Sequence, residues 1–182
     1  MSRSIELLPP GSAFQDSYRD LVSEVANRGE KPVPFVLGFD NHDFDAMLTR
    51  LTDCARGVGL PDGFVAHSTF WLVRNQTEVV GVSNIRHSLT AALRDEGGNI
   101  GYGIRPSARR QGLGVEILRQ TLQRAGEIGL AKALVTCGKN NVASAKIITR
   151  NGGVLESEVF SAERNEVIQR YWLATTHRAL EH

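Results

Sequence analysis

Residues 103–122, GIRPSARRQGLGVEILRQTL, constrain the fold more than any other stretch of the chain. The segment opens extended, turns through basic residues and two glycines, and then becomes helically periodic. Val115, Leu118, Leu122 and Ala125 recur on one face, which predicts a helix over about 113–128 that Gly129 ends. The first amides of such a helix have no partner inside it, and the helix dipole adds partial positive charge there. Gly112 and Gly114 carry no side chain to keep an anion from the backbone. Arg105, Arg109, Arg110, Arg119 and Arg124 face only one acid, Glu116, in a chain whose net charge is +1. The pattern describes a cradle for a pyrophosphate, and its plain alternative is a surface turn with solvated charge.

The rest of the chain supplies a sheet for that helix. SIELLP is read as a strand stopped by Pro9 and Pro10, and residues 11–29 as a helix with Phe14, Tyr18, Leu21, Val22 and Val25 on one side. EKPVPFVLGFD is a proline-broken loop. NHDFDAMLTRLTDCARG is a second helix with Asn41 as its N-cap. STFWLVRN, TEVVGVSNIRHSL and GNIGYGIRP are strands, the first two joined at Asn75-Gln76. After the 113–128 helix come the strand KALVTC, the helix NVASAKIITRNGG, and two closing strands, GVLESEVF and EVIQRYWLAT. The order β-α-α-β-β-β-α-β-α-β-β predicts an α/β fold, a mixed sheet with helices on both faces. Residues 1–179 are read as a single domain, and 180–182 have the form of an expression-tag remnant.

Composition narrows the class. At 41% apolar residues the chain has enough material for a core, and a net charge of +1 does not fit a dedicated nucleic-acid binder. No apolar run is long enough for a membrane span, and the first residues lack the apolar core of a signal peptide. Cys54 and Cys137 fit neither a disulfide framework nor a zinc pattern, so a reduced, cytoplasmic protein without a metal is expected.

Three phosphate-binding readings compete at the cradle. A P-loop needs Lys-Ser or Lys-Thr after its glycines, which QGLGVE lacks. The dinucleotide fingerprint needs a third glycine where Ile117 stands. A coenzyme A pyrophosphate loop fits the spacing Arg109-x-x-Gly112-x-Gly114.

IGYGIRPSARRQGLGVEIL resembles the acetyl-CoA-binding motif of the GNAT superfamily of N-acetyltransferases, and TCGKNNVASAKIITRNGGVLESE resembles the strand and helix that follow it in that family. The longer string from GVSNIRH to NGG is similar to a bacterial subgroup of predicted acetyltransferases of unassigned substrate. The resemblance implies a sheet splayed open between its two middle strands. It also implies acetyl-CoA as cosubstrate and direct acetyl transfer to a primary amine of a small molecule or peptide. It places the pyrophosphate on backbone amides of Arg109, Arg110, Gln111, Gly112, Leu113, Gly114 and Val115. It gives main-chain groups of Tyr102, Ile104 and Arg105 to the pantetheine arm, with Asn141 and Ser144 reaching the cofactor from the next helix. For Asn141 a simple N-cap is an equal alternative, and for Ser144 a buried helix hydroxyl.

Acetyl transfer needs a deprotonated amine, a donor for the tetrahedral oxyanion and a proton for the departing thiol. The resemblance places a tyrosine acid where this chain has Ile148 and a glutamate base where it has Gly98. The remaining catalytic candidates are Tyr102, Glu96, Tyr171 and Cys137, with Asn99 beside Glu96 and Trp172 alternating faces with Tyr171. His67 and His87 are further bases in principle. Glu30, Asp40, Asp43 and Asp45 make the first loop and second helix acidic, which would attract a cationic amine, but a solvated helix face is the default reading. A noncatalytic acyl-CoA-binding module and a protein N-terminal acetylase are the alternatives. The expected partners are acetyl-CoA and an amine acceptor, with no nucleic acid or membrane; exposed edge strands in such folds often pair, which leaves a homodimer open without the sequence deciding the oligomeric state.

Overall fold

The computed structural model describes residues 4–175, so the segment 180–182 set aside above lies outside them. Strands β1 (Ile5–Leu8), β2 (His67–Arg74), β3 (Glu78–Arg86) and β4 (Ile100–Ile104) form one antiparallel sheet in that order. Strands β5 (Lys132–Gly138), β6 (Val154–Ser161) and β7 (Glu166–Ala174) form a second, ordered β5-β7-β6. Between them run α1 (Gln15–Asn27), α2 (Phe44–Arg56), α3 (Ala91–Asp95), α4 (Leu113–Glu127) and α5 (Val142–Arg150). The order read from sequence stands, with α3 added.

Local chemistry accounts for the elements. Asn75 and Gln76 both have positive φ (51° and 61°), the backbone of a tight turn that lets β2 fold back on β3. The N-cap of α2 is Asp43 rather than Asn41, because the Asp43 carboxylate accepts from Ala46 N–H at 2.9 Å. At five residues α3 is too short to show a period, and it is held by Thr90 Oγ1, which accepts from Leu93 N–H. A 3-10 turn, Phe35–Gly38, sits inside the segment read as a proline-broken loop.

Helices cover both faces of the first sheet. Adjacent residues on β3 separate them: Val79 packs with Tyr18, Leu21, Met47 and Trp71 under α1 and α2, while Val80 packs with Leu72 and Ile117 under α4. Tyr18 stacks on Trp71 with ring centroids 4.5 Å apart. Along α4, Leu118, Leu122 and Ala125 are buried as their period requires. Val115, the first member of that stripe, instead lines a cavity.

The two sheets share a core of Ile85, Ile100, Val135 and Tyr171, and a buried asparagine joins their backbones. Asn99 N–H donates to Leu134 C=O (2.7 Å), Asn99 Oδ1 accepts from Leu134 N–H (2.9 Å), and Asn99 Nδ2 donates to Arg86 C=O (3.1 Å). Beyond this clasp β4 and β5 belong to different sheets, and the gap between them is the splay. Gly98 has φ +57°, and a Cβ there would collide with the Leu134 carbonyl, so the chain needs glycine to bring the clasp together.

Candidate functional site

A cavity of about 650 Å³ opens between β4, α1, the mouth of α4 and the first turn of α5. At its mouth the amides of residues 110–114 have no backbone acceptor among the described residues. Arg110 (φ 62°) and Gly112 (φ 79°) are left-handed, and alternation of hand turns successive N–H groups into a concave anion nest. Nothing lies within 4 Å of a Cβ placed on Gly112, so this glycine serves conformation and open approach. Gly114 has another reason. A Cβ there would lie 2.5 Å from Ile147 Cδ1, so it lets α4 pack closely on α5.

Two of the arginines seen in sequence are neutralised from far along the chain and two from three residues away. Arg109 makes a bidentate pair with Glu30 (2.6 and 2.8 Å), and Arg105 Nε donates to Glu24 Oε1 at 2.7 Å. Arg119 pairs with Glu116 and Arg124 with Glu127. The Arg109 and Arg28 guanidiniums hold the Glu30 carboxyl down at about 2. Burial pushes Glu24 upward, but bonds from Ser107 N–H and Arg105 outweigh it and hold that carboxyl below its ordinary range. Of the five arginines, Arg110 alone makes no ion pair among the described residues. Lys31, Lys146 and Arg150 also line the cavity and add cations the motif did not show. Gln111 turns away, its Oε1 accepting from Arg74 Nη1 at 3.1 Å.

Along β4 the backbone divides into two edges. Arg105 N–H donates to Val80 C=O (2.8 Å), and its C=O accepts from Ala108 N–H (2.9 Å), so the main chain of Arg105 faces β3 and its own turn, not the splay. By the two-residue alternation of a ladder, Tyr102 and Ile104 turn their N–H and C=O to the open edge. Arg109 Nε fills the Ile104 carbonyl at 3.1 Å. The main chain of Tyr102 and the Ile104 N–H are left facing the splay.

Side chains complete the cavity. The Tyr102 phenol and Ser144 Oγ share a 3.0 Å hydrogen bond from β4 to α5. Burial, partly offset by that bond, pushes the phenol up to about 12, so it is protonated at neutral pH. Asn141 caps α5, its Oδ1 accepting from Ser144 N–H at 3.1 Å, and also lines the cavity. Ile148 is fully buried in the core, one helical turn beyond Ser144. The strand therefore presents a phenol to the α5 face on which a tyrosine was expected.

The other candidates lie outside the cavity. Tyr171 is buried in the second core and donates to Gln169 Oε1 (2.8 Å). Trp172 Nε1 donates to Glu156. Cys137 is buried, and burial pushes its thiol up. Glu96 follows α3, with no side-chain partner among the described residues. His87 Nε2 shares a 2.8 Å bond with Ser68 Oγ. The acidic candidates hold structure: Glu30 pairs with Arg109, Asp40 accepts from His42 N–H, and Asp43 caps α2. Among the described residues no cluster of His, Cys, Asp and Glu is placed to hold a metal, and no helix is long and apolar enough to cross a membrane.

Comparison with known proteins meets this geometry. No curated protein is similar enough in sequence to count as a relative. Solved structures share the fold at low identity. The ribosomal alpha-N-protein acetyltransferase RimL in complex with coenzyme A superposes with a TM-score of 0.69 at 16% identity, over 94% of both chains. A microcin self-immunity acetyltransferase in complex with acetyl-CoA and AMP gives 0.66 at 16%, over 93% of this chain and 92% of that one. The dodecameric spermidine N-acetyltransferase of Vibrio cholerae gives 0.62 at 14%, over 94% of both. The model of the GNAT acetyltransferase domain matches residues 40–154, which contain the clasp, β4, the anion nest and α5. The chain therefore belongs to the GNAT family of acetyl-CoA-dependent acetyltransferases.

Proposed function

We propose that this protein moves an acetyl group from acetyl-CoA to a primary amine of a small molecule or peptide by direct attack inside the splay. One observation carries the reading: a single cavity joins the free amides of residues 110–114 to the outward edge of β4 and the Tyr102–Ser144 pair. The nest takes the pyrophosphate. Tyr102 and Ile104 offer main-chain partners to the pantetheine arm, and Asn141 offers the amide nitrogen that its capping bond leaves free.

The neutral amine attacks the thioester carbon to form the C–N bond, the nitrogen gives its extra proton to water, and the C–S bond breaks as the sulfur takes up a proton and leaves as the thiol of coenzyme A. Amines near pKa 10.4 are mostly protonated at neutral pH, so the ammonium gives one proton to water before attack. With the Ile104 N–H given to the pantetheine arm, the Tyr102 N–H, farther from the nest on the same open edge, serves as the donor to the tetrahedral oxyanion. The Tyr102 phenol, held by Ser144, donates to the leaving sulfur.

Isothermal titration with acetyl-CoA, then thiol release across a panel of amines and peptides, tests the reading. Micromolar binding with amine-dependent thiol release is expected. Binding with no turnover on any acceptor would replace catalysis with a noncatalytic acyl-CoA-binding role. A cytoplasmic location and a homodimer belong to the same proposal. β6, an edge strand with Val154, Leu155 and Phe160 exposed, is the surface on which two copies would pair. Sedimentation of wild type against Phe160→Lys reads this directly, with the variant expected to be monomeric.

A further inference from the structure

A second cavity, of about 350 Å³, lies across the strap of residues 31–38 from the first. Phe35, Phe64, Leu93, His67 and Arg86 line it, and the wall is largely apolar. The strap crosses β4 where Gly101 and Gly103 stand. A Cβ on Gly103 would collide with the Val33 carbonyl, and one on Gly101 would meet Pro34 at 3.4 Å. The first cavity lies on one side of this crossing, and the second opens on the other.

Arg86 is the unexplained group there. Its Nη1 donates to the carbonyls of Gly97 and Gly98, both at 3.1 Å, and its guanidinium lies 5.5 Å from the Phe35 ring centroid. Its Nε and Nη2 make no hydrogen bond, and no carboxylate pairs with it, among the described residues. Among the described residues Arg86 shares the lack of an acid with Arg19, Arg50, Arg94, Arg110 and Arg150, but of these six it is the one that lines this apolar wall. A guanidinium in that setting gains most from a planar anion that accepts two parallel bonds. His67, the other titratable group of the wall, is held neutral: burial first, then Arg86 and His87, keep it near 4. Its Nδ1 faces Asn84 Nδ2 at 2.9 Å, and Asn84 Oδ1, wholly buried, has no donor. Asn84 sits opposite Gly101 of β4 in the sheet register.

Taking the acetyl-transfer reading as its basis, we infer that this second cavity is the acceptor pocket and that the acceptor is an amine bearing a carboxylate and an apolar or aromatic body. The carboxylate pairs with Arg86 and the body rests against Phe35 and Phe64. Arg86 grips the two carbonyls that lead into β4, so a molecule anchored there lies at the closed end of the splay, opposite the phosphate mouth.

The probes are phenylalanine, phenylalaninamide and phenethylamine, titrated into coenzyme A-saturated protein and followed by heat and by the Arg86 side-chain Nε resonance. Phenylalanine is expected to bind at least tenfold more tightly than either analogue and to shift that resonance. Arg86→Gln should equalise the three, and Phe64→Ala, at a half-exposed ring, should weaken all of them. Equal binding of the acid and its amide, or no shift at Arg86 with any probe, overturns the inference. Acetyl-CoA binding reports whether Arg86→Gln is folded, and if it is not, the wild-type comparison of acid with amide decides. Acid-selective binding without thiol release from acetyl-CoA would support the pocket while overturning acetyl transfer. Turnover that ignores the carboxylate would do the reverse.

Discussion

The two ends of β4 solve the same problem, an opening in a sheet, by opposite means. At the phosphate end the backbone does the work: five successive amides, two left-handed residues and a helix mouth, with most nearby guanidiniums committed to carboxylates. At the closed end side chains do it: Asn99 replaces missing ladder bonds, and Arg86 holds the loop carbonyls. A backbone nest accepts any anion of the right size, whereas a side-chain clasp fixes one geometry. Under the proposed acetyl transfer, the first suits a carrier whose diphosphate never varies, and the second suits the end inferred to distinguish acceptors.

The largest effect should come from breaking the closed end. Asn99→Ala leaves the Leu134 N–H and the Arg86 carbonyl buried without partners. That should cost about 2–5 kcal/mol, read as a Tm lowered by roughly 4–20 °C. Unchanged thermal stability would mean that the sheets are held by core packing and that the clasp is incidental. Tyr102→Phe comes next and separates chemistry from structure. Loss of one partly buried hydrogen bond should cost about 1 kcal/mol of stability. Loss of the proton donor should lower kcat about 100-fold with acetyl-CoA affinity unchanged. An unaltered kcat would reduce the phenol to packing.

Gly112→Ala tests the open end and should be milder. A left-handed residue with a Cβ costs about 1–2 kcal/mol, a Tm lowered by roughly 2–8 °C, and relaxation of the nest should weaken acetyl-CoA binding about tenfold by titration. A loss of stability without loss of affinity would reverse the contrast between the ends.

The same contrast explains what could be read from sequence. The cradle was legible because backbone geometry is written locally, in glycine spacing, a basic turn and a helical period from Val115 to Ala125. Element order was legible for the same reason, since Asn75-Gln76 and the apolar alternations are local signals. The pairing of Arg109 with Glu30, and of Arg105 with Glu24, spans about 80 residues and follows from how α1 lies on the sheet, which no spacing encodes. Gly114 looked like a second opening for an anion, and its packing against Ile147 emerges only once α5 is in place. Ile148 looked like a missing acid, because a phenol arriving from β4 leaves no mark in the helix sequence. Asn99, Arg86 and the second cavity are tertiary throughout.

The smallest effect concerns the cation that the cradle seemed to offer. Glu30 titrates at about 2 because the Arg109 and Arg28 guanidiniums favour its charged form, against an ordinary value near 4.3. A depressed carboxyl contributes stability that is fully present above its unfolded pKa and is lost as pH falls through the folded value. The window is therefore pH 4.3 down to 2. Both partners are about a third exposed, so solvent screening limits the contribution to less than about 1 kcal/mol. Glu30→Gln should accordingly leave stability at pH 7 lower by no more than that and flatten the acid limb of a denaturant-midpoint profile. It also frees Arg109 beside the nest. If the nest is a backbone device, acetyl-CoA affinity should change less than threefold in Glu30→Gln at 0.15 M salt. A tenfold gain would show instead that the guanidinium, once released, binds phosphate, and that Glu30 restrains the site.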